Sequence, residues 1–370
     1  MRIGLDATPL LGQRTGVGRY VTGLLGALAA PTTGSSGSPG SPGSPGSPDE
    51  LVATAFTLRG RGTLVDRVPA GVQVSARPVP ARLLQLTWAH TALPPVEWLT
   101  GRIDLFHATN FVLPPTRRAR AVVTVHDLSF LHRPETVSAV SLRYRELVPR
   151  SIARAHAVLT PSQAVADQLQ ESYSPRCPVV VTPLGVDPQW ARAAPPDLVM
   201  RARLGLPSSY LLFVGTLEPR KDLPTLLAAH RQLRDAPPLV LVGPPGWGAE
   251  VDLGSAVTAG FLPDDDLRSV VAGAAALVLP SRDEGFGLPV LEALAAGTPV
   301  VASDLPALRE VGGSQAVYAR PGSAESFAAA ITEVLHQPGD SLLRREHAAP
   351  WTWRRCAELT HAAYLQALRA

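Results

Sequence analysis

The sequence predicts an α/β protein made of two units, each built on a parallel β-sheet. Short apolar runs alternate with stretches of helical period along nearly all of the 370 residues. Repeats of strand, helix and strand imply a parallel sheet that helices cover on both faces. The alternation occurs in two series separated by the Pro-rich stretch 188–207, and this length favours two domains over one. Ligands of such sheets bind beyond the carboxyl ends of the strands, so facing sheets would place a ligand in the cleft between them.

The first unit spans residues 1–187 and carries seven predicted strands. They lie at 2–6, 51–58, 71–76, 103–106, 121–126, 157–160 and 178–183. Helical patterns occupy 137–155 and 162–172, and Ser162 is suited to cap the second of these helices. Residues 34–48 are all Gly, Ser or Pro, a composition that buries no apolar surface, so we predict a disordered surface loop there.

The second unit, residues 188–350, repeats the pattern with six predicted strands. They lie at 210–215, 239–243, 257–261, 276–280, 299–303 and 316–318. Helices are predicted at 222–234, 265–275 and 288–296. The last segment, 351–370, is helical by pattern, and packing back on the first domain is one arrangement open to it.

Composition excludes several classes of protein. The formal net charge is +3 with no run of five or six basic residues, so a nucleic-acid partner is not indicated. Cys177 and Cys356 are too few for a disulfide framework or a zinc site, which favours a reducing cytosol. No apolar run reaches the roughly 20 residues that span a bilayer, and residues 1–11 lack a secretory signal pattern. We expect a cytoplasmic protein, with peripheral contact at the inner membrane face left open.

The segment 280–300 has the strongest chemical signal. A strand end is followed by a Gly-containing turn and a helix in which Pro289 suits the first position. Backbone amides at a helix start favour an anion such as a phosphate, and here they belong to Phe286, Gly287 and Leu288. Glu284 and Glu292 flank this turn. A carboxylate that only stabilises the first helical turn is the alternative reading of Glu292.

A second segment, 211–223, ends a strand at Gly215 and then presents Arg220 and Lys221 on a turn. A guanidinium fork and an ammonium point charge together suit a diphosphate. Lys221 is the only lysine among 34 basic residues, which favours a site that requires an ammonium group. A solvated basic turn is the alternative.

Three further segments are weaker candidates, of which the first two are turns that follow strands of the first unit. His126 and Asp127 follow a strand, where a lone His is more often structural, with Asp127 as the group that would orient the ring. Gly16 and Gly18 follow the first strand in a Gly-x-Gly turn that lacks the third Gly of a dinucleotide fingerprint.

The segment 259–267 contains three consecutive aspartates that invite a metal-binding reading. They are Asp264, Asp265 and Asp266, and they precede a predicted helix. Such a run more simply supplies the helix N-cap and a favourable first-turn charge. We therefore predict no metal ligand here.

The Glu284 to Glu292 segment closely resembles the signature of the GT4 retaining glycosyltransferases, which have the GT-B fold of two Rossmann-like domains facing across a cleft. The Arg220–Lys221 segment, the His126 segment and the Gly16-x-Gly18 turn agree with that pattern in order and spacing. The resemblance covers nearly the whole chain apart from residues 34–48. It implies an N-terminal acceptor domain and a C-terminal nucleotide-sugar donor domain.

The resemblance also implies a role for each candidate. Arg220, Lys221 and the backbone at 286–288 would bind the donor diphosphate, with Gly16, Gly18 and Gly215 close to it. Glu292 would bind the ribose, Glu284 and His126 the transferred sugar, and Gly260, Phe261 and Leu262 would line the nucleobase.

The implied reaction is retaining transfer of a hexosyl group to a glycan or lipid-linked saccharide, with no metal ion and no cofactor. The stretch 126–135 looks like that of enzymes that use GDP-mannose, with UDP-glucose as an alternative donor. Another GT-B enzyme, such as a sugar phosphorylase or a nucleotide-sugar epimerase, and a non-catalytic nucleotide-sugar-binding protein remain alternatives.

Overall fold

The computed structural model describes residues 1–12, 15–30, 49–57, 61–75, 77–249 and 251–370. The loop predicted at 34–48 lies outside the described residues. Within them the chain forms two separate sheets, and every strand pairing between named strands is parallel. This is the α/β architecture that the alternating pattern predicts.

The first sheet has seven strands in the order β3-β2-β1-β4-β5-β6-β7. They are β1 (Arg2–Asp6), β2 (Glu50–Thr54), β3 (Gln73–Ser75), β4 (Leu105–Ala108), β5 (Arg120–Thr124), β6 (Ala157–Thr160) and β7 (Val179–Val181). The helices of this domain are α1 (Gly16–Ala29), α2 (Ala81–His90), α3 (Glu97–Thr100), α4 (Ser129–His132), α5 (Tyr144–Arg154) and α6 (Gln163–Tyr173).

The second sheet has six strands in the order β10-β9-β8-β11-β12-β13. They are β8 (Leu211–Val214), β9 (Leu239–Val242), β10 (Val257–Gly260), β11 (Ala276–Leu279), β12 (Val300–Ser303) and β13 (Val317–Ala319). The helices that follow the first sheet are α7 (Leu198–Leu204), α8 (Leu223–Gln232), α9 (Asp264–Ala272), α10 (Leu288–Ala296), α11 (Pro306–Gly312), α12 (Ala324–His336), α13 (Ser341–Ala348) and α14 (Trp353–Arg369).

Both sheets have the doubly wound strand order, which reverses between β1 and β4 in one domain and between β8 and β11 in the other. The crevice of such a sheet lies at this reversal, outside the carboxyl ends of the strands. The loops after these four strands are therefore the segments expected to hold a ligand.

Local side-chain chemistry explains where two helices begin. Ser162 caps α6 as predicted, because its hydroxyl accepts the Val165 amide at 3.2 Å. The helix predicted at 137–155 is wrong in its first turns, since α5 begins only at Tyr144. The Ser138 hydroxyl accepts the Ser141 amide at 3.2 Å, which holds the preceding residues in a turn instead.

The C-terminal helix α14 packs against α1, β5 and β6 of the first domain. Its Tyr364 hydroxyl lies 2.7 Å from Nδ1 of the fully buried His107. Where the chain returns, the Val186 amide donates to the Trp351 carbonyl at 2.9 Å. A Cβ at Gly23 of α1 would lie only 2.2 Å from the Trp353 ring, so a glycine allows the two helices to approach closely.

No helix among the described residues has both the length and the apolar character needed to cross a bilayer.

Candidate active site

A cavity of about 630 Å³ lies between the two domains and is lined by loops from the carboxyl ends of both sheets. The loop after β8 brings Gly215, Arg220 and Lys221 to its wall, and the loop after β11 brings Glu284 and the start of α10. The loop after β5 supplies His126 and Asp127 from the opposite domain. The structure thus brings most of the predicted site residues together in one place.

Arg220 lies among three carboxylates. Its Nη2 is 3.0 Å from Glu218 Oε1, and its Nη1 is 3.4 Å from Asp127 Oδ2 of the first domain and 3.8 Å from Glu284 Oε2. Burial alone would lower the pKa of this guanidinium, but the surrounding carboxylates raise it overall. Arg220 is therefore a permanent cation on the wall of the cavity.

Lys221 and Glu284 form a buried ion pair, with Nζ 2.5 Å from Oε1. The Ser281 hydroxyl also donates to Oε1, at 2.7 Å. Burial would raise the pKa of Glu284, but Lys221 and Arg220 together hold it below its usual range. The carboxylate is therefore ionised at neutral pH and able to accept hydrogen bonds from hydroxyl groups.

The start of α10 forms part of the cavity wall through Phe286, Gly287 and Leu288. Among the described residues, the amides of these three have no hydrogen-bond partner. Gly287 precedes the helix at a φ of 96°, a conformation that favours glycine. The helix begins at Leu288, so Pro289 occupies the second position and not the first as predicted. Free amides at a helix N-terminus make this wall suited to an anion.

His126 lies two residues beyond the end of β5. Its Nε2 donates to the Thr109 carbonyl at 2.8 Å, and its ring packs edge-on against Tyr20 and Phe111. Burial lowers the pKa of the imidazole, so it is neutral at neutral pH. The prediction that Asp127 orients this ring is wrong, because a backbone carbonyl does so.

The two carboxylate oxygens of Asp127 are engaged elsewhere. Oδ1 accepts the amide of Ser129 at 3.0 Å, and Oδ2 faces Arg220 across the cleft.

Glu292 lies one turn into α10 and is 4% exposed. Its partner is the guanidinium of Arg19, which reaches it from α1 of the first domain. Burial raises the pKa of this carboxyl group, and Arg19 opposes that rise. Arg19 and not Glu292 lines the cavity. Sequence reasoning missed Arg19 because its partner lies 273 positions away, beyond the reach of any local pattern.

The remaining predicted residues divide into two groups. Gly16, the first residue of α1, lines the cavity together with Phe261 and Leu262. Gly18 is buried within α1, and Gly260 precedes the lining residues at a φ of 66°; neither belongs to the cavity wall.

Asp264, Asp265 and Asp266 lie inside the first turn of α9, and Pro263 occupies the N-cap position. The predicted N-cap role of this run is therefore wrong, whereas its first-turn placement is confirmed. Among the described residues, no group of three or more His, Cys, Asp or Glu side chains is placed to hold a metal ion.

Direct contacts hold the two domains against each other around the cavity. The Ser162 hydroxyl donates to the Gly285 carbonyl at 2.7 Å, and the amides of Gln163 and Ala164 donate to the Glu310 carboxylate at 2.8 and 2.6 Å. A Cβ at Gly285 would lie 1.7 Å from the His126 carbonyl oxygen, so the domains touch through backbone at this point. The two domains are therefore in direct contact beside the cavity.

Two doubly wound domains that face each other across a cavity have the architecture of the GT-B fold. Sucrose-phosphate synthase from Thermosynechococcus elongatus superposes with a TM-score of 0.73 at 20% identity, covering 99% of this chain and 98% of that one. The Anabaena protein HepE in complex with UDP and glucose superposes with a TM-score of 0.67 at 16% identity, covering 98% of each chain. These similarities show the fold.

The chain belongs to glycosyltransferase family 4. Residues 15–190 match the model "Glycosyltransferase Family 4", and residues 208–337 match the model "Glycosyl transferases group 1". O-antigen chain mannosyltransferase B from Escherichia coli is 32% identical over 282 residues, which are 70% of this chain and 74% of that protein. The protein is therefore a glycosyltransferase, as the resemblance predicts.

Proposed function

We propose that this glycosyltransferase moves a hexosyl group from a nucleotide sugar to a hydroxyl group of a glycan or lipid-linked saccharide. One observation carries the proposal: Arg220, Lys221 and the free amides at the start of α10 share one wall of the interdomain cavity. Two cations and a helix N-terminus are suited to the diphosphate of a nucleotide.

The same groups account for the chemistry of the leaving group. When the bond between the sugar and the phosphate breaks, its electron pair stays on the diphosphate and positive charge develops on the sugar. Fixed cations and dipoles already aimed at the diphosphate stabilise that charge without reorganising. Metal-independent transfer without a cofactor is therefore part of the proposal.

Five side chains would hold the rest of the donor. Glu284, ionised and buried, would accept hydrogen bonds from hydroxyl groups of the transferred sugar, and the neutral His126 would contact the sugar near its reacting carbon. Glu292 would accept hydrogen bonds from the ribose, and Phe261 and Leu262 would lie against the nucleobase.

Retention of configuration is supported by the state of the cavity carboxylates. A double displacement needs a carboxylate free to attack the anomeric carbon. Among the described lining residues, Asp127, Glu218 and Glu284 are each paired with Arg220 or Lys221. We therefore propose attack from the face that the diphosphate leaves, with a phosphate oxygen of the donor accepting the acceptor proton.

GDP-mannose is the proposed donor. The relative from Escherichia coli at 32% identity is named as a mannosyltransferase, and the stretch 126–135 resembles that of GDP-mannose enzymes. UDP-glucose is the second candidate, because the similarly folded Anabaena protein binds UDP and glucose. The name of the same relative refers to an O-antigen chain, which supports a saccharide acceptor. A cytoplasmic location is part of this proposal.

The test is to incubate the purified protein with a panel of nucleotide sugars and to measure release of nucleoside diphosphate with and without saccharide acceptors. We expect the highest rate with GDP-mannose, an unchanged rate in the presence of a chelator, and an α-linked product. Arg203→Ala is a matched control, because Arg203 pairs with Asp266 outside the cavity wall and should leave the rate unchanged. Turnover of no nucleotide sugar would overturn the proposed function.

A further inference from the structure

Arg19 of the first domain pairs with Glu292 of the second, the carboxylate that is proposed to bind the ribose of the donor. Its Nη1 contacts Oε1 of Glu292, and its Nη2 lies 3.9 Å from Oδ1 of Asp264. The Arg19 side chain is 20% exposed and that of Glu292 is 5% exposed. Arg19 is contributed by α1 of the first domain, whereas both carboxylates lie on helices of the second.

Arg19 also pairs with the helix whose start forms the anion-binding wall. Glu292 follows Leu288 by four residues, which corresponds to about 6 Å along the axis of α10. The residue that Arg19 contacts is therefore about one helical turn along the axis from the free amides at the helix start. Arg19 itself lines the cavity.

Binding of a nucleotide donor would bring new hydrogen-bonding and charged groups to both Arg19 and Glu292. The ribose hydroxyls need an acceptor, and the Glu292 oxygen that would receive them is occupied by Arg19. The diphosphate brings at least two negative charges to the start of the same helix. Arg19 gains a more highly charged partner at the same moment that Glu292 gains hydroxyl groups, and the fork-shaped guanidinium is suited to phosphate oxygens.

We propose that donor binding transfers Arg19 from Glu292 to the donor diphosphate. Arg19 then becomes the third cation of the leaving-group site, beside Arg220 and Lys221, and the only one of the three that the first domain contributes. The inference rests on the proposed function, in which a nucleotide sugar uses Glu292 for its ribose. It assigns Arg19 to donor binding and makes full assembly of the diphosphate site depend on contact between the domains.

The exchange predicts effects of opposite sign on two ligands. In Arg19→Met, which keeps the length of the side chain and removes its charge, Glu292 no longer has a competing partner. Binding of the uncharged nucleoside guanosine should therefore become about tenfold tighter. Binding of GDP should become about tenfold weaker, because one cation of the diphosphate site is lost. A residue that merely held the domains together would shift both affinities in the same direction.

The experiment measures the dissociation constants of guanosine and GDP, and of uridine and UDP in parallel, for the intact chain. Arg19→Lys keeps the charge and should retain most of the GDP affinity, and Arg203→Met is the matched control with no expected change. Parallel shifts, or no shift, for the two ligands in Arg19→Met would overturn the exchange while leaving the proposed function in place. Failure of the unmodified protein to bind any nucleoside diphosphate would instead refute the proposed function.

Discussion

Replacing Lys221 by methionine tests the diphosphate assignment and the buried ion pair in one variant. The substitution preserves much of the apolar stem and removes the ammonium group that lies 2.5 Å from Glu284. It therefore removes a cation from the leaving-group site and leaves a buried carboxylate without its nearest partner.

The structure sets the size of both effects. Removing one member of a buried ion pair costs about 3–5 kcal/mol when nothing else faces the charge left behind. Here Arg220 at 3.8 Å and the Ser281 hydroxyl at 2.7 Å still face Glu284, so we expect a loss of about 2 kcal/mol. Loss of one group that stabilises developing negative charge lowers turnover by about 10²–10³-fold.

Stability is measured by thermal and denaturant unfolding, and turnover by release of nucleoside diphosphate. The double variant Lys221→Met with Glu284→Gln removes both charges and should regain most of the lost stability, because a neutral amide is cheaper to bury than an unpaired carboxylate. It should not regain turnover. A double variant as unstable as the single one would refute the reasoning about the ion pair, and a single variant with undiminished turnover would refute the diphosphate assignment.

Three further predictions follow from other parts of the molecule. Gly285→Ala should lower turnover at least about 100-fold with little change in unfolding temperature, because its Cβ meets a backbone oxygen of the opposite domain at 1.7 Å and prevents closure; normal turnover would contradict this. Gly23→Ala should destabilise the protein by about 1–3 kcal/mol in denaturant unfolding, because the added Cβ overlaps the Trp353 ring. Gly26→Ala in the same helix adds a Cβ that meets nothing within 4 Å, so it should stabilise the protein by about 0.5–1 kcal/mol. Equal effects of the two substitutions would contradict the close packing of α1 against Trp353. Burial lowers the pKa of His107 to about 3, so the imidazole becomes protonated near pH 6.5 in the unfolded chain but stays neutral in the folded chain. His107 should therefore make the free energy of unfolding about 1.4 kcal/mol lower at pH 5.5 than at pH 7.5. Denaturant titrations in which His107→Gln shows the same pH dependence as the unmodified protein would contradict this assignment.

Much of the fold could be predicted because its signals are local. Most strands of the two sheets bury a short apolar run, and the turns between elements contain Gly, Pro or a capping residue such as Ser162. The start of α5 was misplaced because helical period continues through 137–143, while the Ser138 hydroxyl favours a turn that period alone does not reveal.

The site was predictable where its residues follow one another in a motif and not where they meet across the cleft. Arg220 and Lys221 are adjacent in sequence, and a fixed spacing separates Glu284 from Glu292. The contact of Arg19 with Glu292 joins positions 273 residues apart, so only the relative placement of the two domains creates it. The ring of His126 is oriented by the backbone carbonyl of Thr109. Every residue has such a carbonyl, so the amino-acid sequence does not reveal this contact.

The return of α14 to the first domain has a consequence for synthesis of the protein. A ribosome makes residues 353–369 only after the entire second domain, although these residues cover α1, β5 and β6 of the first. The nascent first domain therefore emerges with an uncovered apolar surface that its own chain cannot close until translation reaches Tyr364, and its folding is completed last although its translation begins first.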